Sequence, residues 1–291
     1  MDARYMLFDV FTDVAFAGNQ LAVFPETTFQ DATMQRIARE LNLAETVFVN
    51  RVDGVAASLR IFTPRAEVPF AGHPTVGTAI ALVDHLSWVP PNQSSFVLRE
   101  RVGDVPIAIE RTKPTTAWLT TPPVSLERKI PLVDGAAALG LDDGAVREDL
   151  PCQFASAGNL FLYVPLVSKE AVDRAVLDEA ALRRLVPWNF ATGVYLFAQT
   201  EEGAYARMFA PAFGVPEDPA TGSATGPLYA YLAAHGALPK KERFVNEQGV
   251  AIGRRSVLFV RLTWNGESLS AIEVGGNALL VGEGVLNVAD R

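Results

Sequence analysis

Apolar residues alternate with polar ones, or cluster with β-branched and aromatic residues, over about Tyr5–Phe11, Leu21–Phe24, Thr46–Asn50 and Ser58–Thr63, which predicts strands. Phe96–Arg99, Val105–Arg111 and Ala117–Thr120 read the same way. Between them Met34, Ile37, Ala38 and Leu41 fall at helical spacing and predict a helix over Asp31–Leu41. The second half repeats this grammar, with strands at Asn159–Val164, Val194–Gln199 and Tyr205–Phe209 and helices near Lys169–Val176 and Asp178–Val186. Late strands fit Arg243–Val245, Ser256–Leu262, Ser270–Val274 and Ala278–Val281. Short strands separated by turns predict extensive antiparallel pairing in an α+β chain, not a doubly wound parallel sheet.

The two halves also match in detail. Arg60-Ile61-Phe62-Thr63-Pro64 resembles Arg207-Met208-Phe209-Ala210-Pro211, and Val68-Pro69 recurs at the same offset as Val215-Pro216. Each block then reaches a glycine, Gly72 or Gly222, followed by a polar residue, His73 or Ser223, and an apolar run. Those runs, Val76–Leu86 and Leu228–Ala234, are apolar on nearly all sides and predict helices enclosed by other structure. The shared order predicts an internal duplication: two lobes, each a curved, largely antiparallel sheet or barrel wrapped around one helix, with both helix N-termini facing a shared cleft. Thr121-Pro122-Pro123 breaks regular structure and is the candidate passage between lobes. The expected division is 1–120 plus about 278–291 for one lobe and about 121–277 for the other.

Length agrees, because 291 residues exceed what one core usually organises. A 49% hydrophobic and 20% charged composition is that of a packed globular protein. The formal net charge of -8, with no basic run longer than Lys240-Lys241, argues against a nucleic-acid partner, and none is expected. Cys152 is the only cysteine, so neither an intrachain disulfide nor a thiolate metal cage can form. Met1-Asp2-Ala3-Arg4 leads straight into the first alternating segment without a signal-peptide core, and no segment approaches the apolar length that spans a bilayer. No membrane association and a cytoplasmic location are expected.

Candidate chemistry gathers at the two helix starts. A helix N-terminus presents unpaired N–H groups and a partial positive charge, and Gly72 and Gly222 let a ligand approach the backbone closely. Two such termini suit a small carboxylated substrate, or negative charge developing on it, without metal or lysine. Glu45 lies among apolar neighbours in Leu43-Ala44-Glu45-Thr46-Val47, where desolvation is expected to raise its pKa toward the range useful for passing a proton. It also fits a surface glutamate at a helix–strand junction. His73, at a helix start, is expected to be neutral and able to exchange hydrogen bonds, or to be a capping histidine without a chemical role. Asp218 and Ser223 belong to Glu217-Asp218-Pro219-Ala220-Thr221-Gly222-Ser223, which suits an anion-binding loop or an ordinary capping turn. Both His73 and Asp218 are expected to be reached by solvent. No Gly-Lys-Ser/Thr follows, so the segment is no phosphate loop, and the glycines around Ser223 are misplaced for a nucleophile elbow. Three scattered histidines lack metal-ligand spacing, and no dinucleotide fingerprint occurs, so no metal and no cofactor are expected.

At these residues the sequence resembles the phenazine-biosynthesis PhzF-like isomerase family. The matching blocks are Gly18 through Phe24, Met34 through Phe48, Phe62-Thr63-Pro64, Pro69 through Gly77, Glu217 through Gly226 and Gly275-Gly276-Asn277. The resemblance implies a diaminopimelate-epimerase-like fold with two pseudo-symmetric lobes, often assembled as homodimers. It implies isomerisation of a small acid, a dihydro-hydroxyanthranilic acid in the phenazine enzyme, to a reactive ketone. Carried over residue by residue, it makes Glu45, His73 and Asp218 catalytic and makes Gly72, Gly222 and Ser223 substrate-binding. Gln20 stands where members often have proline, and Pro219 where the phenazine enzyme has a smaller residue. Thiol-dependent epimerases of this fold use paired cysteines, and here those places fall to Gly72 or His73 and Gly222 or Ser223, which excludes two-thiol chemistry. A non-catalytic small-anion-binding homologue, and a lyase or hydrolase acting on another small acid, are the competing readings.

Overall fold

The first alternating segment becomes β1 (Asp2–Val10), antiparallel to β2 (Asn19–Pro25) with Phe8 opposite Leu21. This is a computed structural model, and it describes residues 2–186 and 192–288. The chain crosses over through α1 (Asp31–Leu41) to β3 (Glu45–Asn50), which therefore lies parallel to β2, with Glu45 opposite Leu21. Asn42 ends α1 in the left-handed region at φ 52°, a conformation its short polar side chain tolerates. β4 (Ala57–Phe62) returns antiparallel to β3, and β5 (Glu67–Val68) folds back on it. Then come α2 (Gly72–Ile80), which starts at the glycine where a helix start was expected, and a π-helical turn at Ala81–His85, which widens the helix before it ends. β6 (Ser95–Glu100) lies parallel to β4, and β7 (Gly103–Glu110) and β8 (Thr116–Thr120) follow antiparallel. The last strand, β17 (Ala278–Asn287), pairs antiparallel with β1. Together these elements belong to one compact unit, Met1–Thr120 with Gly275–Arg291.

Alternation gives this unit's sheet two apolar faces. On one, Tyr5, Phe24, Phe48 and Phe62 form a cross-strand ladder with ring centroids 5.1–5.6 Å apart, covered by Met34, Ile37 and Ala38 of α1. The other face meets α2, whose nine residues are all buried and which packs against β1, β2, β3 and β8. Gly77 permits that approach, since a Cβ there would stand 2.6 Å from Leu21 Cδ2 and 2.7 Å from Val10 Cγ2.

The second unit, Thr121–Val274, opens with β9 (Ser125–Ile130) and α3 (Leu132–Ala138). β10 (Cys152–Ser156) runs antiparallel to β9 and to β11 (Leu160–Pro165). A crossover through α4 (Lys169–Arg174) and α5 (Glu179–Leu185) makes β12 (Gly193–Gln199) parallel to β11, and β13 (Gly203–Phe209) returns antiparallel. α6 (Gly222–Ala234) then leads to β14 (Arg243–Gln248), parallel to β13 and antiparallel to β15 (Ser256–Asn265), before β16 (Ser268–Gly276). Leu162, Val164, Val194 and Leu196 pack with α3–α5, while Phe161, Tyr163, Tyr195 and Phe197 pack with α6. Two covered faces explain why these strands read as continuous apolar runs.

The two units share one order of pairings. β1–β4 and β10–β13 each run antiparallel, parallel across a crossover, then antiparallel; a buried helix, a parallel strand and an antiparallel strand follow. An ion pair marks the duplication too. Arg60 is bidentate to Glu67 at 2.8 Å and stacks over Phe62; Arg207 is bidentate to Glu217 at 2.8–2.9 Å and stacks over Phe209. The carboxylate comes from before Val68-Pro69 in one case and after Val215-Pro216 in the other, so the interaction recurs although the spacing does not. The fold is α+β, mostly antiparallel, with parallel pairs confined to the helical crossovers. Among the described residues, no helix is long and apolar enough to cross a membrane.

Candidate active site

In the first unit, the parallel pairing of β2 with β3 puts Asn19 and Glu45 at the starts of adjacent strands, beside the start of α2. Glu45 Oε2 lies 3.5 Å from His73 Nδ1, and Asn19 Nδ2 lies 3.2 Å from the same nitrogen. The Glu45 side chain keeps 18% of its exposure, enough for contact with a small molecule, whereas His73 keeps 4%. Burial pushes the His73 pKa down to about 3, so at neutral pH the ring is uncharged. Its contact with Glu45 is therefore between a carboxyl and a neutral imidazole, not between two charges. His73 Nε2 is buried without a hydrogen-bond partner. Gly72 is the first residue of α2, and the residue before it, Ala71, supplies no side-chain cap. The first-turn N–H groups thus face no competing capping oxygen.

In the second unit, Asp218 is 7% exposed and accepts a 2.6 Å hydrogen bond from Thr221 Oγ1. Its backbone is held as well: the Asp218 N–H donates to Met208 O at 2.9 Å, and Gln248 Nε2 donates to Asp218 O at 2.8 Å. Thr221 N–H donates to Gln248 Oε1 at 3.2 Å, which fixes the turn into α6. Gly222 opens the helix with no side-chain cap from Thr221, whose hydroxyl is turned to Asp218. Ser223 follows, half-buried.

Solvent was expected at both His73 and Asp218, yet they are only 4% and 7% exposed; Asn19 bonds the His73 ring and Gln248 the Asp218 carbonyl. Gln248 carries no motif of its own and escapes sequence reading as a site neighbour, while Thr221 lies inside the quoted Glu217–Ser223 loop without a role assigned to it. Asn19 lies in the Gly18 through Phe24 block, likewise without a role assigned to it. The other histidines stay apart from this chemistry: His85 packs edge-on to Phe8 at 5.3 Å, and His235 Nε2 meets Gln153 Oε1 at 2.7 Å. Among the described residues, no group of His, Cys, Asp and Glu side chains is arranged to hold a metal ion.

Residues 8–284 match the sequence profile of the phenazine biosynthesis-like proteins, nearly the whole chain. The chain belongs to this phenazine biosynthesis-like (PhzC–PhzF) family. It is 38% identical to the trans-2,3-dihydro-3-hydroxyanthranilate isomerase of Pseudomonas aeruginosa, over 97% of this chain and 98% of that one. Identity to the enzyme of the same description from Pseudomonas fluorescens is 37%, over 97% and 99%. The solved structure of a predicted epimerase from Pseudomonas aeruginosa superimposes with a TM-score of 0.82 at 30% identity, covering 99% of this chain and 100% of that one. The chain is a PhzF-like isomerase.

Proposed function

We propose that this isomerase moves a proton between carbon atoms of a small carboxylated substrate, with trans-2,3-dihydro-3-hydroxyanthranilate as the compound to try first. Glu45 is the proton carrier in this reading. As carboxylate it takes a proton from carbon, and the C–H bond pair spreads into the substrate's double bonds. As acid it returns that proton at another carbon, so substrate and product have the same composition. A hydroxyl on the first carbon becomes an enol and settles as a ketone. His73, neutral throughout, sits against Glu45 and keeps it from being locked in a charged pair. The uncapped start of α2 at Gly72 stabilises negative charge on the substrate; Asp218 is assigned as a further catalytic carboxyl, and Gly222 and Ser223 as substrate-binding groups.

The observation that carries this reading is the 3.5 Å contact of a part-exposed Glu45 with a histidine that burial keeps neutral. Binding an anion needs only the helix starts; a carboxyl beside an uncharged imidazole is what proton transfer needs. The reaction uses no metal and no organic cofactor, and we infer a homodimer in the cytoplasm. Turnover of trans-2,3-dihydro-3-hydroxyanthranilate by the wild type and by Glu45→Gln tests it. Loss of about 10²–10⁴ in rate with an unchanged melting temperature is expected for the variant, the range that general acid/base groups supply. A Gln variant that turns over at the wild-type rate removes Glu45 from the mechanism. Binding without turnover by the wild type favours the non-catalytic homologue.

A further inference from the structure

Glu100, the last residue of β6, is only 5% exposed, and it sits beside the first turns of α2. Its Oε1 lies 2.6 Å from Thr75 Oγ1, and the same hydroxyl lies 2.7 Å from the carbonyl oxygen of Ala71, the residue before α2. A threonine hydroxyl carries one proton and a carbonyl carries none. One proton shared between two acceptors lengthens both contacts, so two contacts this short need two protons. The Ala71 carbonyl can only accept, which commits the Thr75 proton to it. The proton in the other contact then belongs to Glu100, which donates to Thr75 Oγ1.

Two further features agree. Glu100 Oε2 is buried with no hydrogen-bond partner, a tolerable state for a neutral acid and a costly one for a carboxylate. The second unit supplies an internal comparison at Gln248, the last residue of β14, where the topology matches β6 strand for strand. Gln248 is the amide isostere of a protonated glutamate, and it braces the residues that start α6 through Thr221 and the Asp218 carbonyl. Thr225, the fourth residue of α6 as Thr75 is of α2, likewise bonds the carbonyl just before its helix. Burial also pushes the Glu100 pKa up to about 8. The charged groups on surrounding elements are engaged elsewhere or are neutral: Glu67 of β5 with Arg60 and Arg101, Arg99 with Asp104 of β7, and His73 of α2 uncharged. Asp84 on the π-helical turn accepts from Thr115.

We propose that Glu100 is a protonated carboxylic acid that positions the first turn of α2, and with it Gly72 and His73, and that its ionisation loosens that turn. The link to catalysis rests on the function proposed above; the proton itself does not.

Wild type, Glu100→Gln and Glu100→Ala test it by three readouts. The folded pKa lies above the unfolded 4.5, so stability from this proton is full below 4.5 and lost as pH rises through about 8. The unfolding equilibrium constant of wild type relative to Glu100→Gln should therefore climb with pH between these values, by up to about tenfold per unit. Gly72 and His73 NMR resonances should titrate near pH 8 in wild type and not in the Gln variant. Turnover of trans-2,3-dihydro-3-hydroxyanthranilate should be near wild-type level in Glu100→Gln at pH 7, without the wild type's alkaline fall, and lower in Glu100→Ala. A pH-independent unfolding ratio overturns the proton assignment. Unmoved Gly72 and His73 resonances, or a Gln variant as inactive as the Ala variant, overturn the positioning role. A wild type that ignores this substrate while the first two readouts hold refutes the function and supports the Glu100 assignment.

Discussion

Removing an imidazole that is 4% exposed empties space in a packed unit, so His73→Ala should lower turnover and also cost about 1–3 kcal/mol of stability. Asp218 offers a cleaner separation. Asn at this position can still accept the 2.6 Å hydrogen bond from Thr221, so Asp218→Asn should melt within a few degrees of wild type while losing turnover. Equal losses of stability and activity in that variant mean that Asp218 is a structural brace only. Thermal melts beside initial rates decide between the two. The residues that carry an unusual side chain in an unusual place, Glu45 among apolar neighbours and His73 after Gly72, were legible as candidates from the sequence. Their partners went unassigned, because Asn19 and Gln248 lie 54 residues from His73 and 30 from Asp218 along the chain and meet them only in the folded chain. Cys152 shows the same limit: nothing local marks it as inert, but burial raises its thiol to about 12.

At the scale of elements, legibility followed the strength of the period. α1 has its stripe, its left-handed Asn42 and its sheet face in register, and its bounds match the sequence reading residue for residue. β9 has five exposed residues out of six and α3 has a glycine inside seven residues, so neither carries a pattern above its surroundings. The parallel pairs were hidden for another reason: the direction of a strand is set by the connection that precedes it, which period alone does not report. α2 gives the sharpest element-level expectation. Gly77→Ala must push its Cβ into Leu21 and Val10 at 2.6 and 2.7 Å, neither of which can withdraw into solvent because both are fully buried. A loss of about 1–3 kcal/mol is expected, read by urea unfolding, together with lower turnover because α2 is shifted from β2. An unchanged midpoint means that α2 is held more loosely than its burial implies.

Across the whole molecule, the duplicated order was legible because Arg-x-Phe, the turn and the glycine recur in both halves, and the recurring bidentate Arg–Glu pairs show what those arginines do. The two opposed buried groups, Glu100 and His73, lie in one half only, because the second unit has Gln248 where the first has Glu100 and Ser223 where the first has His73; His235 of the second unit, also lowered by burial, adds to the rise of stability below its usual 6.5. His73 folds with its pKa depressed from 6.5 to about 3, so the unfolded chain binds more protons and stability rises with pH across that window. Glu100 folds with its pKa raised from 4.5 to about 8, so the folded chain binds more protons and stability falls with pH across that one. The two slopes oppose each other between 4.5 and 6.5. Stability should therefore rise to about pH 4.5, stay level to about 6.5 and fall to about 8, with limbs of up to about 1.4 kcal/mol per pH unit. Glu67, held low by Arg60, steepens the acid limb, since its contribution is present above its unfolded pKa and lost as pH falls. The variants turn this into a test by urea unfolding at unit steps of pH. Glu100→Gln should keep the acid limb, continue rising to 6.5 and then stay flat. His73→Gln should lose the plateau and decline from about 4.5 onward. A wild type with no decline between 6.5 and 8, or a decline that persists in Glu100→Gln, shows that the buried carboxyl is not what sets the alkaline side.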